Sequence, residues 1–215
     1  MLNKIKKETI TLFKYLGYYF IVLLISAILI LLIDNLITKI FGYNSVVELF
    51  SDAKKQIDKK GVLLIVFVIP FIEEILFRLF LKVTKVNVSI TLSLWFLILI
   101  KSGKITEMNF CSYEILLKFI TAILFGLVLY KFVLTDKIIK FLTDKDKILF
   151  YFSVLSFGLV HITNINEFHW QLTLFYPFFV LPQIFMGYFI AKLRIKQGFM
   201  WGILLHIIIN AIGSI

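Results

Sequence analysis

Apolar runs of membrane length recur along this 215-residue chain, and they leave few folds open. Hydrocarbon offers no water to satisfy backbone N–H and C=O groups, so only helices and closed barrels can cross it. The period-2 alternation of a barrel strand is absent, and each run therefore reads as helix. Seven runs stand out, at 11–33, 61–82, 86–101, 113–134, 148–164, 171–191 and 199–213. The third is short enough to be re-entrant or interfacial instead, and the last is short too. The expected fold is all-α, a polytopic transmembrane helix bundle of about seven spans. Residues 1–60 hold an N-terminal transmembrane helix plus a polar loop, and 61–215 hold the rest of the bundle. Composition agrees: 60% of residues are hydrophobic and mean hydropathy is +0.97, above the roughly half-apolar norm of soluble domains.

The N-terminus is basic and then apolar over a run too long for a signal-peptide core, so it reads as an uncleaved anchor. Cys111 is the only cysteine, which rules out a disulfide or a cysteine-based metal site within one chain. The net charge of +10 raises the question of nucleic acid. The lysines, however, are interspersed between apolar segments and form no single basic face in the sequence, so the partner they imply is the lipid bilayer and not nucleic acid. Segments 1–10, 82–85, 131–147 and 192–197 carry 3, 2, 5 and 3 Lys or Arg, against 5, 1 and 0 in 34–60, 102–112 and 165–170. This bias places the N-terminus inside and the C-terminus outside. Loop 34–60 is the misfit; it also carries Asp34, Glu48, Asp52 and Asp58, and its VVELF patch (46–50) suits a membrane surface. Arginine is confined to Arg78 and Arg194 while Lys, Ile and Phe abound, as in an AT-rich bacterial genome. The expected location is a bacterial cytoplasmic membrane, crossed several times.

Against that background, Glu73, Glu74 and Arg78 in FIEEILFRLF are out of place. Ionisable groups are costly in lipid, so they face a bundle interior and mark a site. Glu74 and Arg78 share a helix face at i, i+4, whereas Glu73 points about 100° away from Glu74. One carboxylate can thus be neutralised while the other faces a cavity, where a carboxylate removed from water accepts a proton more readily, as a general base must. Pro70 removes the helix hydrogen bond to the Val66 carbonyl and is expected to bend the helix there. Phe157 and His161 form FGLVH, and His206 and Asn210 share a face in HIIIN. Taken alone, EExxxR also fits a helix that ends early in the headgroups, FGLVH an interfacial or backbone-bonded histidine, and HIIIN plain interhelical hydrogen bonding. Gly198 and Gly202 read as close helix packing, Trp170 as an interface anchor beside a loop His169, and Lys14 and Lys118 as snorkelling side chains. At 1.5 Å per residue, Glu73 lies about 13 Å from Lys82 and His161 about 21 Å from Lys147, a mismatch that helix tilt can absorb. HExxH, GxSxG and GxGD motifs are absent.

EExxxR, then FxxxH, then HxxxN, in that order in a polytopic chain, resembles the CPBP family. This is the group of CAAX-prenyl-protease-like intramembrane proteases with bacteriocin-processing and immunity-associated members, also called the Abi family. The resemblance covers roughly 62–213 and includes the closing stretch FMGYFIAKLRIKQGFMWGILLHIIINA. Two departures stand out: residues 86–134 lengthen the gap between Glu73 and His161, and the family's FRG reads Phe77-Arg78-Leu79 here. The resemblance implies a CPBP-like intramembrane protease domain over 61–215 and a membrane-embedded endopeptidase acting on a membrane-associated peptide or protein. Glu73 would activate water and Glu74 would pair with Arg78, though the two carboxylates could exchange roles. His161 and His206 would line the opposite wall, with Asn210 at the oxyanion. Glu73, His161 and His206 could also hold a divalent metal such as zinc, and the sequence leaves both routes open. A non-enzymatic bacteriocin-immunity or binding protein is the alternative, and a proton-coupled transporter a third reading. Substrate, cleavage site and oligomeric state are not encoded in any motif.

Overall fold

The computed structural model describes residues 2–42, 45–47, 59–100, 113–164 and 168–213. Cys111, Glu48, Asp52, Asp58 and loop 102–112 lie outside them. The described elements are all helical, with no strand among them. Three helical stretches, Asn3–Phe41, Tyr113–Val133 and Asp146–Asn164, are long and apolar enough to cross a membrane, which points to a membrane protein. Lys85–Ile100 and Phe199–Gly213 are shorter apolar helices. The chain divides into two compact units, Met1–Glu73 with Phe150–Ile215, and Glu74–Leu149.

In the first unit, α1 (Leu2–Phe41) runs for 40 residues, or about 60 Å at 1.5 Å per residue. It outruns the expected span 11–33 because neither flank carries a proline or another strong breaker. Its hydroxyls are satisfied locally: Ser26 Oγ donates to Val22 O (2.8 Å) and Thr38 Oγ1 to Asp34 O (2.9 Å). Asp34, assigned to a loop by sequence, belongs to this helix. Its carboxylate accepts from the Val46 N–H (2.7 Å) and the Ser45 hydroxyl (2.6 Å). Val46 is thereby drawn into a core with Ile37, Leu172, Tyr176 and Phe179. The described part of VVELF is therefore core and not a membrane-surface patch.

The run 171–191 is also redrawn. Two prolines cannot donate a helix hydrogen bond, so Pro177 opens the short α8 (Tyr176–Phe179) and Pro182 opens α9 (Leu181–Gln197). The α9 helix continues through the basic 192–197, which the sequence placed in a loop. It stops at Gly198, whose φ of 105° favours glycine and whose N–H caps Arg194 O at 2.8 Å. Gly198 thus makes the turn into α10 (Phe199–Gly213), and is not half of a packing GxxxG. Helix α9 packs on both α1 and α10. Helix α7 (Asp146–Val160) approaches α9 at Gly158, where an added Cβ would lie 2.8 Å from Ile184 Cα.

The span 61–82 is not one regular helix. It comprises α2 (Lys59–Leu63), a π-helical turn Leu64–Val68, α3 (Ile69–Arg78) and a 3₁₀ turn Leu79–Leu81. The Ile69 N–H reaches Leu64 O, the i to i−5 register of a π turn. In that register Pro70 withholds its missing N–H from Ile65, so the affected carbonyl is Ile65's and not, as an α register predicts, Val66's.

In the second unit, α4 (Lys85–Ile100) packs on α5 (Tyr113–Val128), with Phe96 stacked on Phe125 at 4.4 Å. The α3 carbonyls of Ile75 and Leu76 accept from Thr91 Oγ1 (3.3 Å) and Trp95 Nε1 (3.1 Å). Residues 131–147, assigned to a loop by sequence, contain the amphipathic α6 (Asp136–Thr143), capped by Thr135 Oγ1 on the Ile138 N–H. The unit's core joins Phe80, Val88, Leu129 and Leu134.

Candidate active site

The unit boundary falls within α3, between Glu73 and Glu74, and the two carboxylates have different surroundings. In the first unit, Glu73 meets both motif histidines. Its Oε2 lies 3.4 Å from His206 Nε2 and its Oε1 lies 4.0 Å from His161 Nε2. Side-chain exposures are 19% for Glu73, 16% for His161 and 0% for His206, so the cluster is sheltered yet reachable on the Glu73–His161 side. Three residues from three distant stretches of sequence converge as expected.

Local structure sets each ring. His161 opens a 3₁₀ turn, His161–Asn164, at the end of α7. Its Nδ1 lies 2.8 Å from Phe157 O. A carbonyl only accepts, so Nδ1 carries a hydrogen; when the imidazole is neutral, Nε2, which faces Glu73, then presents its lone pair. Phe157 is fully buried and meets both imidazoles edge-on, at 4.9 Å from His161 and 5.5 Å from His206. The sequence paired Phe157 with His161 alone; the contact with His206 needed the fold. His206 is held in the middle of α10, one turn before Asn210.

Asn210 Nδ2 donates to Ile65 O at 3.1 Å. This is the carbonyl that Pro70 cannot serve. Asn210 therefore ties α10 to the π turn just ahead of Glu73, a link hidden in the sequence because it requires the π register.

In the second unit, Glu74 and Arg78 are both fully buried and pair at 3.2 Å, as their i, i+4 spacing predicts. The Arg78 guanidinium also lies 5.9 Å from the Phe77 ring, which meets Trp95 edge-on.

Catalytic zinc takes three protein ligands at about 2.0–2.2 Å from the ion. Among the described residues no three His, Cys, Asp or Glu side chains are gathered in such a group. Glu73 stands 3.4 Å from His206 Nε2 and 4.0 Å from His161 Nε2.

Other residues are placed as follows. Trp170 is strongly exposed in a 3₁₀ turn. The backbone of His169 clamps Tyr176 Oη through its N–H (2.7 Å). Lys118 pairs with Glu114 at 2.6 Å instead of snorkelling alone. The lysines do not all stay dispersed: Lys6, Lys7, Lys14, Lys192 and Lys196 line one cleft in the first unit, a basic face that the sequence order concealed. Comparison of the chain with family models, curated proteins and solved structures finds no match.

Proposed function

We propose that this chain is a CPBP-like membrane-embedded endopeptidase, in a bundle of about seven spans in a bacterial cytoplasmic membrane, with its N-terminus inside. The observation that carries the reading is Glu73 set between two imidazoles inside an apolar protein. A carboxylate beside an imidazole, whose Nε2 presents a lone pair when the ring is neutral, is suited to holding and deprotonating water. In the proposed reaction, water sits against Glu73 Oε1 and His161 Nε2. Glu73 takes its proton as the oxygen attacks the scissile carbonyl carbon. The resulting oxyanion is stabilised from α10, by His206 and Asn210. Collapse breaks the C–N bond, and Glu73 returns the proton to the leaving amine. Arg78 neutralises Glu74, which leaves Glu73 as the base. The substrate is a membrane-associated peptide or protein.

The test compares wild type with Glu73→Ala and His161→Ala in the native host. Membrane-bound and secreted peptides are profiled by mass spectrometry at matched protein levels. A precursor that accumulates uncleaved in both variants supports proteolysis and identifies the substrate. An unchanged peptidome, with the cellular phenotype intact in both variants, sinks the reading in favour of a binding or immunity protein. Cleavage by purified protein is expected to survive chelation of divalent ions; loss that zinc restores would overturn the metal-free route.

A further inference from the structure

Two rows of lysines on α1 and α9 converge on one cleft of about 720 Å³. On α1, Lys7, Thr11, Lys14 and Tyr18 recur at three and four residues and so share a face. On α9, Tyr188, Lys192 and Lys196 recur at four. Among the described residues no carboxylate lines the cleft. Like charges brought near one another on two packed helices repel, and an anion between them relieves that repulsion. Two of the ammonium groups are held in place: Lys192 Nζ donates to Tyr188 Oη at 2.6 Å, and Lys14 Nζ lies 5.6 Å from the Tyr18 ring centroid. The hydrogen bond to Tyr188 holds the Lys192 ammonium above its ordinary pKa, so it is charged at any physiological pH.

The anion's chemistry follows from the lining. Lysine binds phosphate as a point charge, without the bidentate geometry that arginine brings to phosphate or carboxylate. Ile10 and Phe189 add apolar wall beside the cationic rim. Tyrosine and lysine together, where α1 passes from its basic end into its long apolar run, are the residues of the headgroup layer. The volume lies within the range of small-ligand sites. We infer that the α1–α9 cleft is a binding site for a phosphate group, carried by an anionic phospholipid headgroup or by a soluble phosphate. This site does not depend on the Glu73 cluster or on any catalytic role.

The test uses the full chain in detergent, with native mass spectrometry to read bound phosphatidylglycerol, phosphatidylcholine and, separately, inorganic phosphate. Wild type is expected to retain one phosphatidylglycerol in preference to phosphatidylcholine. The triple variant Lys14→Ala, Lys192→Ala, Lys196→Ala should weaken that binding about a hundredfold, at roughly fivefold per lysine near a charged surface. A control triple, Lys137→Ala, Lys140→Ala, Lys145→Ala, removes the same charge outside the cleft and should leave it unchanged. Tyr188→Phe keeps every charge but frees Lys192, and should weaken binding by a few-fold in a protein of unchanged thermal stability. Binding of inorganic phosphate that the cleft triple removes, with no preference between the lipids, supports the site and assigns it a soluble ligand. Equal losses in the two triples, or no retention of either probe by wild type, overturn the proposal.

Discussion

Glu73 and Glu74 are adjacent residues of identical chemistry, yet their surroundings diverge. Glu74 is fully enclosed and held by Arg78, four residues on, at 3.2 Å. Glu73 keeps 19% of its side chain exposed and meets two histidines contributed by remote helices. The first arrangement neutralises a charge; the second supplies the base of the proposed reaction. Helical geometry separates them by about 100°, enough to send one toward an i+4 partner and the other elsewhere. The lesson is that buried charge has two uses, and the partner decides which. A guanidinium stays protonated and silences its carboxylate, whereas an imidazole can itself give or take a proton.

Substitution should expose the contrast, with the largest effect on chemistry. Glu73→Gln keeps shape and removes basicity, so cleavage in the assay above should fall about 10²–10⁴-fold while thermal stability holds. A variant that cleaves normally would erase the distinction between the two carboxylates. Next is the silent pair. Arg78→Ala strands Glu74 in a buried site and should cost about 3–5 kcal/mol of stability, read by denaturant titration in micelles. Replacing both partners by apolar residues of similar volume should recover most of that loss. No recovery in the double variant would show that the pair does more than neutralise charge.

A smaller effect concerns the support beneath Glu73. Asn210→Ala should destabilise by about 1 kcal/mol, because Ile65 O loses its donor. In that background Pro70→Ala supplies an N–H in the π register and should restore part of the loss. Strict additivity of the two substitutions would show that the carbonyl is not shared between them. The smallest effect is at the surface, where Lys85 and Asp136 pair at 2.8 Å within the second unit. The hydrogen bond and charge of Lys85 hold the Asp136 carboxyl below its ordinary 3.8. A depressed folded value means that the pair's contribution is present above the unfolded value and fades as pH falls through the folded one. Asp136→Asn should therefore lower Tm slightly near neutrality, and the gap from wild type should close as pH drops below about 3.8. A gap that persists in strong acid would assign the effect to packing instead. The exposed pair, set beside Glu74–Arg78, calibrates how much burial amplifies a lost partner.

These residues also divide what could be read without coordinates. The Glu74–Arg78 pair was legible because both members lie within one helical turn. The meeting of Glu73, His161 and His206 could be anticipated only from motif order and an approximate depth match, because convergence of remote helices is not written in local periodicity. Phe157 as a wall shared by both imidazoles was half visible, through its i, i+4 relation to His161. Prolines set both the misreading and its correction in 171–191, where Pro177 and Pro182 moved the helix start to Leu181. The helical content of 131–147 was masked by its lysines, although Thr135 before Asp136 is a recognisable N-cap.

The sequence by itself determined that the described chain is helical, that several helices match lipid in length and polarity, and that few ionisable groups interrupt them. Those properties follow from apolar content and from neighbours within a turn, which any helix expresses before it packs. Tertiary structure alone decided which carboxylate met the histidines, that Asn210 would serve Ile65 instead of Val66, and that two separate lysine rows would share a cleft. Each of these depends on backbone register and on contacts between residues far apart in the chain, where packing of whole helices sets the distance.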